Sequence, residues 1–163
     1  TKETRTRARN AKRAGKSPST QAGEFVREEI HHVREGKHGA QSPEQAIAIG
    51  LSKARRAGVN VPKPRTGSKR TKENAASAAA AGRTSPGKRP GAKRSRAVRG
   101  ALKRAGRDAA SPEALSRQGR SAARKRSAAD RSRAAKKAAR TKGAAGRSRA
   151  AKKAARSRAR RRG

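Results

Sequence analysis

The side chains best suited to chemistry in this sequence are three histidines, His31, His32 and His38, which lie near several glutamates. His32 follows Glu28 by four residues and His31 precedes Glu35 by four, so each pair shares one side of a helix. Imidazole and carboxylate groups are typical metal ligands, but a protein metal site usually joins three or four of them. Two separate pairs do not meet that requirement. We therefore predict ordinary helix-surface contacts, with no metal and no cofactor.

Enzymatic chemistry is not predicted either. The sequence has no Cys and no Tyr, which removes two side chains that often serve as nucleophile or acid. Glu28 and Glu29 are adjacent, so they face different sides of a helix and are poor candidates for a carboxylate pair. They instead bring the charge of their segment close to neutral. Gly36 and Gly39 fall at a helix end and in a turn, not in a phosphate-cradling loop. We expect a protein that is not an enzyme.

Lysine and arginine dominate the composition. The 163 residues carry 48 Lys and Arg against 10 Asp and Glu, a net charge of +38. Such a charge attracts polyanions, and it balances the phosphates of roughly 19 base pairs of duplex DNA. Phe25 is the single aromatic residue, which disfavours stacking on unpaired bases. Double-stranded DNA bound without sequence preference is therefore the favoured partner, because base recognition needs rigidly held side chains.

One block of ten residues occurs twice near the C-terminus. RSRAAKKAAR occupies 131–140 and again 147–156. In a helix, most cations of each block share one face and the alanines the other, with Gly143 and Gly146 as a joint. Ala, Lys and Arg favour helix, but cations four residues apart repel, so we expect mostly coil in water and helix on a polyanion. The predicted phosphate contacts here are Arg131, Arg133, Lys136, Lys137, Arg140, Arg147, Arg149, Lys152, Lys153, Arg156, Arg158, Arg160, Arg161 and Arg162.

Further phosphate contacts are predicted outside the repeat. The first sixteen residues form a basic arm, and the second predicted helix ends in cations. The turn SPGKR at 85–89 could lie along a minor groove, with a plain linker turn as the alternative. These additional predicted contacts are Arg5, Arg7, Arg9, Lys12, Arg13, Lys53, Arg55, Arg56, Lys88 and Arg89.

Folding is expected mainly in residues 17–61, which hold nine of the twelve large apolar residues of the chain. Two Ser-Pro pairs mark helix starts, because Ser caps the first turn and Pro suits the first helical position. A glycine follows each helix where a left-handed residue can end it. These signals predict a mostly α fold, with a small helical hairpin at about 18–35 and 43–57.

The spacing of large side chains predicts one apolar face on each hairpin helix, with Glu28 and Glu29 on other faces. Two helices alone leave one side of their contact uncovered. We therefore expect marginal stability, or a homodimer that forms a four-helix bundle. The residues that define the predicted faces are Ala22, Phe25, Val26, Ile30 and Val33 in the first helix, and Ile47, Leu51 and Ala54 in the second.

The other regions are predicted to be large, basic and disordered, because low hydrophobicity and high charge leave too little surface to bury. They are an arm at 1–16, a flexible linker at 62–116 and an Ala/Lys/Arg-rich tail at 117–163. One short amphipathic helix ending at Gly106 is expected inside the linker. No run of about 18 apolar residues predicts a membrane span, and no signal peptide is predicted.

Residues 22–62 resemble a family of small basic bacterial proteins that are often labelled plasmid-stabilisation proteins. The motifs that carry the resemblance are EFVREEIHHVREGKHG and QAIAIGLSKARRAG. That family offers no established mechanism and no active residues to transfer. The segment SPGKRPGAKR and the AAKKAA blocks are similar in composition to the tails of linker-histone-like proteins. This second resemblance implies nucleoid binding and DNA compaction.

Together these features predict a nucleoid-associated, histone-like protein of the bacterial cytoplasm, which neutralises phosphates and compacts or bridges duplex DNA. Two alternatives stay open. An RNA- or ribosome-associated basic protein would use the same charges. A plasmid-stabilisation adaptor would instead bind a protein partner through the hairpin, with the basic regions as tethers.

Overall fold

The computed structural model describes residues 1–64, 67–86 and 92–159. These residues form helices and loops without any strand, which confirms the predicted mostly α fold. The chain divides into two compact units, Thr1–Gln118 and Gly119–Gly163. No helix in the described ranges is long and apolar enough to cross a membrane. The helices are α1 Lys2–Arg13, α2 Pro18–Arg34, α3 Pro43–Arg56, α4 Lys69–Thr84, α5 Ala92–Arg104, α6 Pro112–Arg124 and α7 Ala128–Ala159, with a 3-10 turn at Asp108–Ala110.

The predicted helical hairpin is present as α2 and α3. The hydroxyl groups of Ser17 and Ser42 cap the two helices, each accepting from a backbone N–H three residues later, at 3.4 and 3.2 Å. Gly36 and Gly58 follow the helices with φ of 73° and 85°, the left-handed conformation that ends a helix. Local start and end signals thus predicted both helices to within one residue.

The contact between α2 and α3 depends on small residues more than on the predicted large ones. A Cβ on Gly50 of α3 would lie 2.7 Å from the Cα atom of Val26 in α2, so the two backbones approach closely here. The buried face of α3 follows small residues at intervals of four, whereas Ile47 and Leu51 are only half-buried. Ala54 is buried as predicted, but at the other two positions the buried face is displaced by one residue, because small side chains at the crossing point allow the closer approach.

Residues 1–16 do not form the predicted disordered arm. They contain α1, which packs against α2 and buries Thr4 and Ala8. Ala8 joins a buried cluster that includes Ala22 and Phe25. Helix α1 thereby covers a side of the hairpin that the sequence analysis left open. The disorder prediction missed this contact because both buried side chains of α1 are small.

The predicted flexible linker at 62–116 also contains helices that pack on the hairpin. Helix α4 lies against α3 and buries Ala75, Ala78 and Gly82. A Cβ on Gly82 would lie 1.9 Å from the carbonyl oxygen of Arg55, so only glycine permits this approach. The contact between α3 and α4 forms without any large side chain. The scarcity of large apolar residues in 62–116 therefore wrongly indicated a flexible linker.

The C-terminal end of α5 and the following 3-10 turn close the loop end of the hairpin. The N–H of Gly39 donates to the carbonyl of Leu102 at 2.8 Å, and Nε of Arg34 donates to the carbonyl of Ala110 at 2.7 Å. The short amphipathic helix predicted in this region is part of α5. Val98, on its predicted apolar face, is nevertheless 50% exposed.

Alanine builds most of the core of the first unit. In the described part of the chain, twelve hydrophobic residues are buried, and ten of them are alanine; the other two are Phe25 and Val33. Helices α1 and α4 and the 3-10 turn cover the hairpin within one chain. Homodimerisation through the hairpin stays a prediction, and the fold supplies another way to cover its faces.

Helix α7, in the second unit, is broken where the sequence predicts a joint. Gly143 has φ of 62° and ψ of 178°, so the backbone leaves the helix there and resumes it afterwards. The helix begins after Ser127, whose Oγ accepts from the backbone N–H of Asp130 at 3.1 Å. Both sides of the joint are helical in the structure, which is the conformation that the sequence analysis expected only on a polyanion.

Candidate nucleic-acid interface

The second unit carries the densest array of cations. Helix α7 contains twelve Lys and Arg residues and one acidic residue, Asp130. Asp130 accepts from Nη2 of Arg133 at 2.5 Å. The predicted phosphate contacts of α7 all have exposed side chains: Arg131, Arg133, Lys136, Lys137, Arg140, Arg147, Arg149, Lys152, Lys153, Arg156 and Arg158.

The break at Gly143 changes how the two repeat blocks relate to each other. The blocks are sixteen residues apart. In an unbroken helix of 3.6 residues per turn, that spacing would rotate the second cationic face by about 160° from the first. The two faces would then point in nearly opposite directions. Because the break at Gly143 interrupts the helix, the two cationic faces are not held at this angle to each other.

A second, smaller group of cations lies on α1. Arg5, Arg9 and Lys12 are exposed and follow one another at intervals of four and three residues, so they share one side of the helix. They line a small cleft together with Phe25 and Val59. These three side chains lie on a folded surface, not on the flexible arm that the sequence analysis expected.

Two other predicted contacts of α1 differ in their surroundings. Arg7 donates from Nε to Oε2 of Glu24 at 2.8 Å and from Nη2 to the hydroxyl of Thr4 at 3.1 Å. Burial alone would raise the pKa of Glu24, but hydrogen bonds and charges from Arg27 and Arg7 lower it. Arg7 therefore helps to hold α1 on α2, whereas Arg13 is exposed in the last turn.

The prediction that Arg55 contacts phosphate is wrong. Its side chain is only 7% exposed, and Nη2 donates to the carbonyl of Pro62 at 2.8 Å. Nε also lies 3.4 Å from the carbonyl of Val61. Arg55 thus fastens the segment after α3, an arrangement that the charge count could not distinguish from surface placement. Arg56, the next residue, is half-buried at the helix end.

Five predicted contacts lie outside the described residues, namely Lys88, Arg89, Arg160, Arg161 and Arg162. Lys53 is described and is partly engaged already. Its Nζ pairs with Oε2 of Glu29, while 42% of its side chain stays exposed.

The histidines form one of the two predicted pairs. His31 does contact Glu35, with Nε2 3.1 Å from Oε1. His32 instead lies with His38 and Glu29, and one ligand atom from each of the three falls within 4.8 Å of the others. Glu29 is fully buried, although it was assigned to a face away from the core. The three-residue spacing of Glu29 and His32 could have indicated that these two side chains meet on one side of α2. The position of His38 in the loop could not be predicted from sequence.

Part of the chain matches a known protein family. Residues 9–65 match a family described as a family of unknown function, DUF6496. The match covers roughly a third of the chain, including α2 and α3. No curated protein and no solved structure matches the chain. The resemblances to plasmid-stabilisation proteins and to linker-histone tails therefore stay predictions.

Proposed function

We propose that this protein binds duplex DNA by neutralising phosphates, without base recognition, and that it compacts or bridges the duplex in a bacterial nucleoid. The observation that carries the proposal is the array of exposed cations along α7, where Asp130 is the single acidic residue. Each ten-residue block is about 15 Å long as a helix. A duplex presents about nine phosphate charges over that length, and each block carries five cations there, so one block can neutralise about half of these charges.

The composition of α7 favours phosphate contact over base recognition. The helix has Arg, Lys, Ala, Ser, Thr, Gly and one Asp, with no Asn or Gln to pair with adenine. Because the alanine side chains of α7 are small, they do not hold the cations of each block away from the DNA backbone. The joint at Gly143 lets each half follow the phosphates independently. Binding of this kind has little dependence on sequence and a strong dependence on salt.

A second basic surface supports bridging as the outcome of binding. Arg5, Arg9 and Lys12 share one side of α1 in the first compact unit, whereas the cations of α7 belong to the second. A chain with basic surfaces on two units can contact two duplex segments at once. Multivalent contact of this type raises the overall affinity without any new kind of interaction.

The salt dependence of binding tests the proposal. The intact chain should bind random-sequence duplex DNA with an affinity that falls steeply as salt rises. Replacing Arg149, Lys152, Lys153 and Arg156 by Gln removes four cations from one face. The slope of log affinity against log salt should then become shallower by about 3.6. Fluorescence anisotropy over a salt series measures both slopes.

The matched control changes the opposite face of the same block. Replacing Ala150, Ala151, Ala154 and Ala155 by Gln keeps every charge and keeps good helix formers. This control variant should retain the slope of the original chain. Equal slopes for the cation variant and the original chain would contradict phosphate contact by this face.

RNA is the principal competing partner, because it exposes phosphates of the same charge. Competition between duplex DNA and structured RNA of equal length, at about 0.15 M ionic strength, separates the two. Preference for the DNA duplex supports the proposal. Tighter binding to RNA would instead favour a ribosome-associated or RNA-associated role.

One observation favours the alternative of a protein-binding adaptor. Half-buried Val26, Ile30 and Leu51 line an open groove of the first unit together with Leu115. An apolar groove suits a protein partner better than a polyanion. Deleting residues 119–163 from the gene distinguishes the two roles. Loss of cellular function supports DNA binding by the tail, whereas retained function supports the adaptor.

A further inference from the structure

We propose that Glu29, His32 and His38 bind a divalent transition metal ion, for which Zn²⁺ is the best-suited candidate. Glu29 and His32 lie one turn apart on α2, and His38 comes from the loop that joins α2 to α3. Their three ligand atoms lie within 4.8 Å of one another. One carboxylate with two imidazoles is a ligand set that zinc accepts, with water in the fourth position.

The contact between Nε2 of His38 and Oε1 of Glu29 requires a positive charge between these two atoms. Nδ1 of His38 lies 3.1 Å from the carbonyl oxygen of Gly39. A carbonyl oxygen can only accept, so Nδ1 carries a proton, and Nε2 of the neutral ring presents a lone pair. That lone pair lies 3.1 Å from Oε1 of Glu29. Two lone pairs repel at this distance, unless a metal ion or a second proton lies between them.

Glu29 has one oxygen engaged and one available. The side chain is 1% exposed, and Oε2 pairs with Nζ of Lys53. Oε1 is buried, and no donor in the described part of the chain makes an aligned hydrogen bond to it. Its close polar neighbour is Nε2 of His38, and a buried carboxylate oxygen that accepts no hydrogen bond is costly. Metal coordination at Oε1 would remove that cost, and Lys53 would continue to orient the carboxylate, as outer hydrogen bonds commonly do in metal sites.

The distances between the three ligand atoms suit coordination. Ligand atoms of a tetrahedral zinc site are about 3.3 Å apart, given bonds of about 2.0–2.1 Å, so His38 and Glu29 are already near the required separation. The rings of His32 and His38 have centroids 6.0 Å apart at 84°, and the ligand nitrogen of His32 lies within 4.8 Å of the other two ligand atoms.

The bound ion would fasten the loop after α2 to the helix. His38 is held at one ring nitrogen by the backbone of Gly39, so coordination at the other nitrogen links the loop to Glu29 and His32. The partly exposed histidine rings leave a side of the ion open to solvent for the fourth ligand. This role is separate from phosphate contact, and its test does not depend on nucleic acid.

Titration of the intact chain with Zn²⁺ after chelator treatment tests the proposal by calorimetry. We expect one strong site per chain, and Co²⁺ in its place should give the absorption bands of a tetrahedral ion. His32→Gln and His38→Gln should each weaken Zn²⁺ binding by at least about tenfold. Glutamine at position 38 can still donate to Oε1 of Glu29, so this variant should remain folded. Far-UV circular dichroism checks that it does.

His31→Gln is the matched control, because His31 is exposed and pairs with Glu35 outside the cluster. It should keep the affinity of the original chain. A melting temperature that rises with Zn²⁺ in the original and control chains, but not in the two ligand variants, supports the site. Absence of one-to-one binding in the original chain would overturn it, and a protonated His38 would then explain the contact. Equal weakening in all three variants would also overturn it.

Discussion

Arg147 reaches back across the break in α7, and its Nη1 donates to the backbone carbonyl of Ala139 at 2.9 Å. Ala139 lies in the last turn before Gly143, where helix carbonyls lack partners within the helix. The first residue of the second repeat block therefore caps the end of the first block. This relationship gives the repeat a structural role at its joint, in addition to supplying charge.

We predict that Gly143→Ala will join the two halves of α7 and weaken DNA binding. The φ of 62° and ψ of 178° define a conformation that is nearly exclusive to glycine and costs alanine about 1–3 kcal/mol, so the backbone should prefer to continue the helix. The two cationic faces would then be about 160° apart, and fewer cations could contact one duplex. Far-UV circular dichroism should show more helix, and anisotropy should show weaker binding with a shallower salt slope.

Gly146→Ala is the control for this change. Gly146 lies in the second half of α7 and lacks a positive φ, so alanine there raises helix propensity by up to about 1 kcal/mol without removing the joint. Helicity should rise while DNA affinity stays the same or improves. If both variants bound DNA as the original chain does, the joint would have no part in binding.

The features that could be predicted from sequence are those that depend on neighbouring residues. Serine caps and terminal glycines located α2 and α3, and the glycines of the repeat located the break in α7. The contacts of α1 and α4 could not be predicted this way. Ala78 of α4 is buried while Ala134 of α7 is exposed, yet the two occur in similar alanine-rich sequence. Only contacts between distant segments distinguish them.

The same limit applies to the candidate interface. Exposure of the repeat cations could be predicted, because long charged side chains without a covering apolar surface remain in water. Burial of Arg55 could not, since it depends on backbone carbonyls six and seven residues later, in the segment after α3. Likewise, the approach of His38 to Glu29 depends on how the loop returns to α2.

We predict that Gly50→Ala will destabilise the first unit. The added Cβ would lie 2.7 Å from the Cα atom of Val26, so α2 and α3 would have to move apart. Overpacking of this kind costs about 1–3 kcal/mol. Gly23→Ala in α2 is the control, because nothing lies within 4 Å of its Cβ; it should stabilise by up to about 1 kcal/mol. Urea denaturation measures both, and similar effects for the two glycines would contradict the close contact.

The neighbours Arg55 and Arg56 should separate stability from DNA binding. Arg55→Ala removes hydrogen bonds from a buried guanidinium to two backbone carbonyls, which should lower the free energy of unfolding by about 1.5–3 kcal/mol. Arg56→Ala should change stability much less, because Arg56 is half-buried at the end of α3. If Arg56 contacts phosphate, its loss should make the salt slope shallower by up to about 0.9. A larger stability loss for Arg56→Ala would reverse these assignments.

Acid should remove the stabilising contribution of Glu24. Its pKa is lower in the folded chain than its ordinary value, so the stabilisation is complete above the unfolded pKa and disappears as pH falls through the folded pKa. Glu24→Gln should therefore reduce stability by up to about 1 kcal/mol near neutral pH. The difference from the original chain should vanish once pH is well below about 4, because Glu24 is then protonated in both states. Urea denaturation at the two pH values measures this, with Glu73→Gln on the exposed side of α4 as the control. A difference that persisted in acid would mean that Glu24 stabilises by shape, not by its charge toward Arg7 and Arg27.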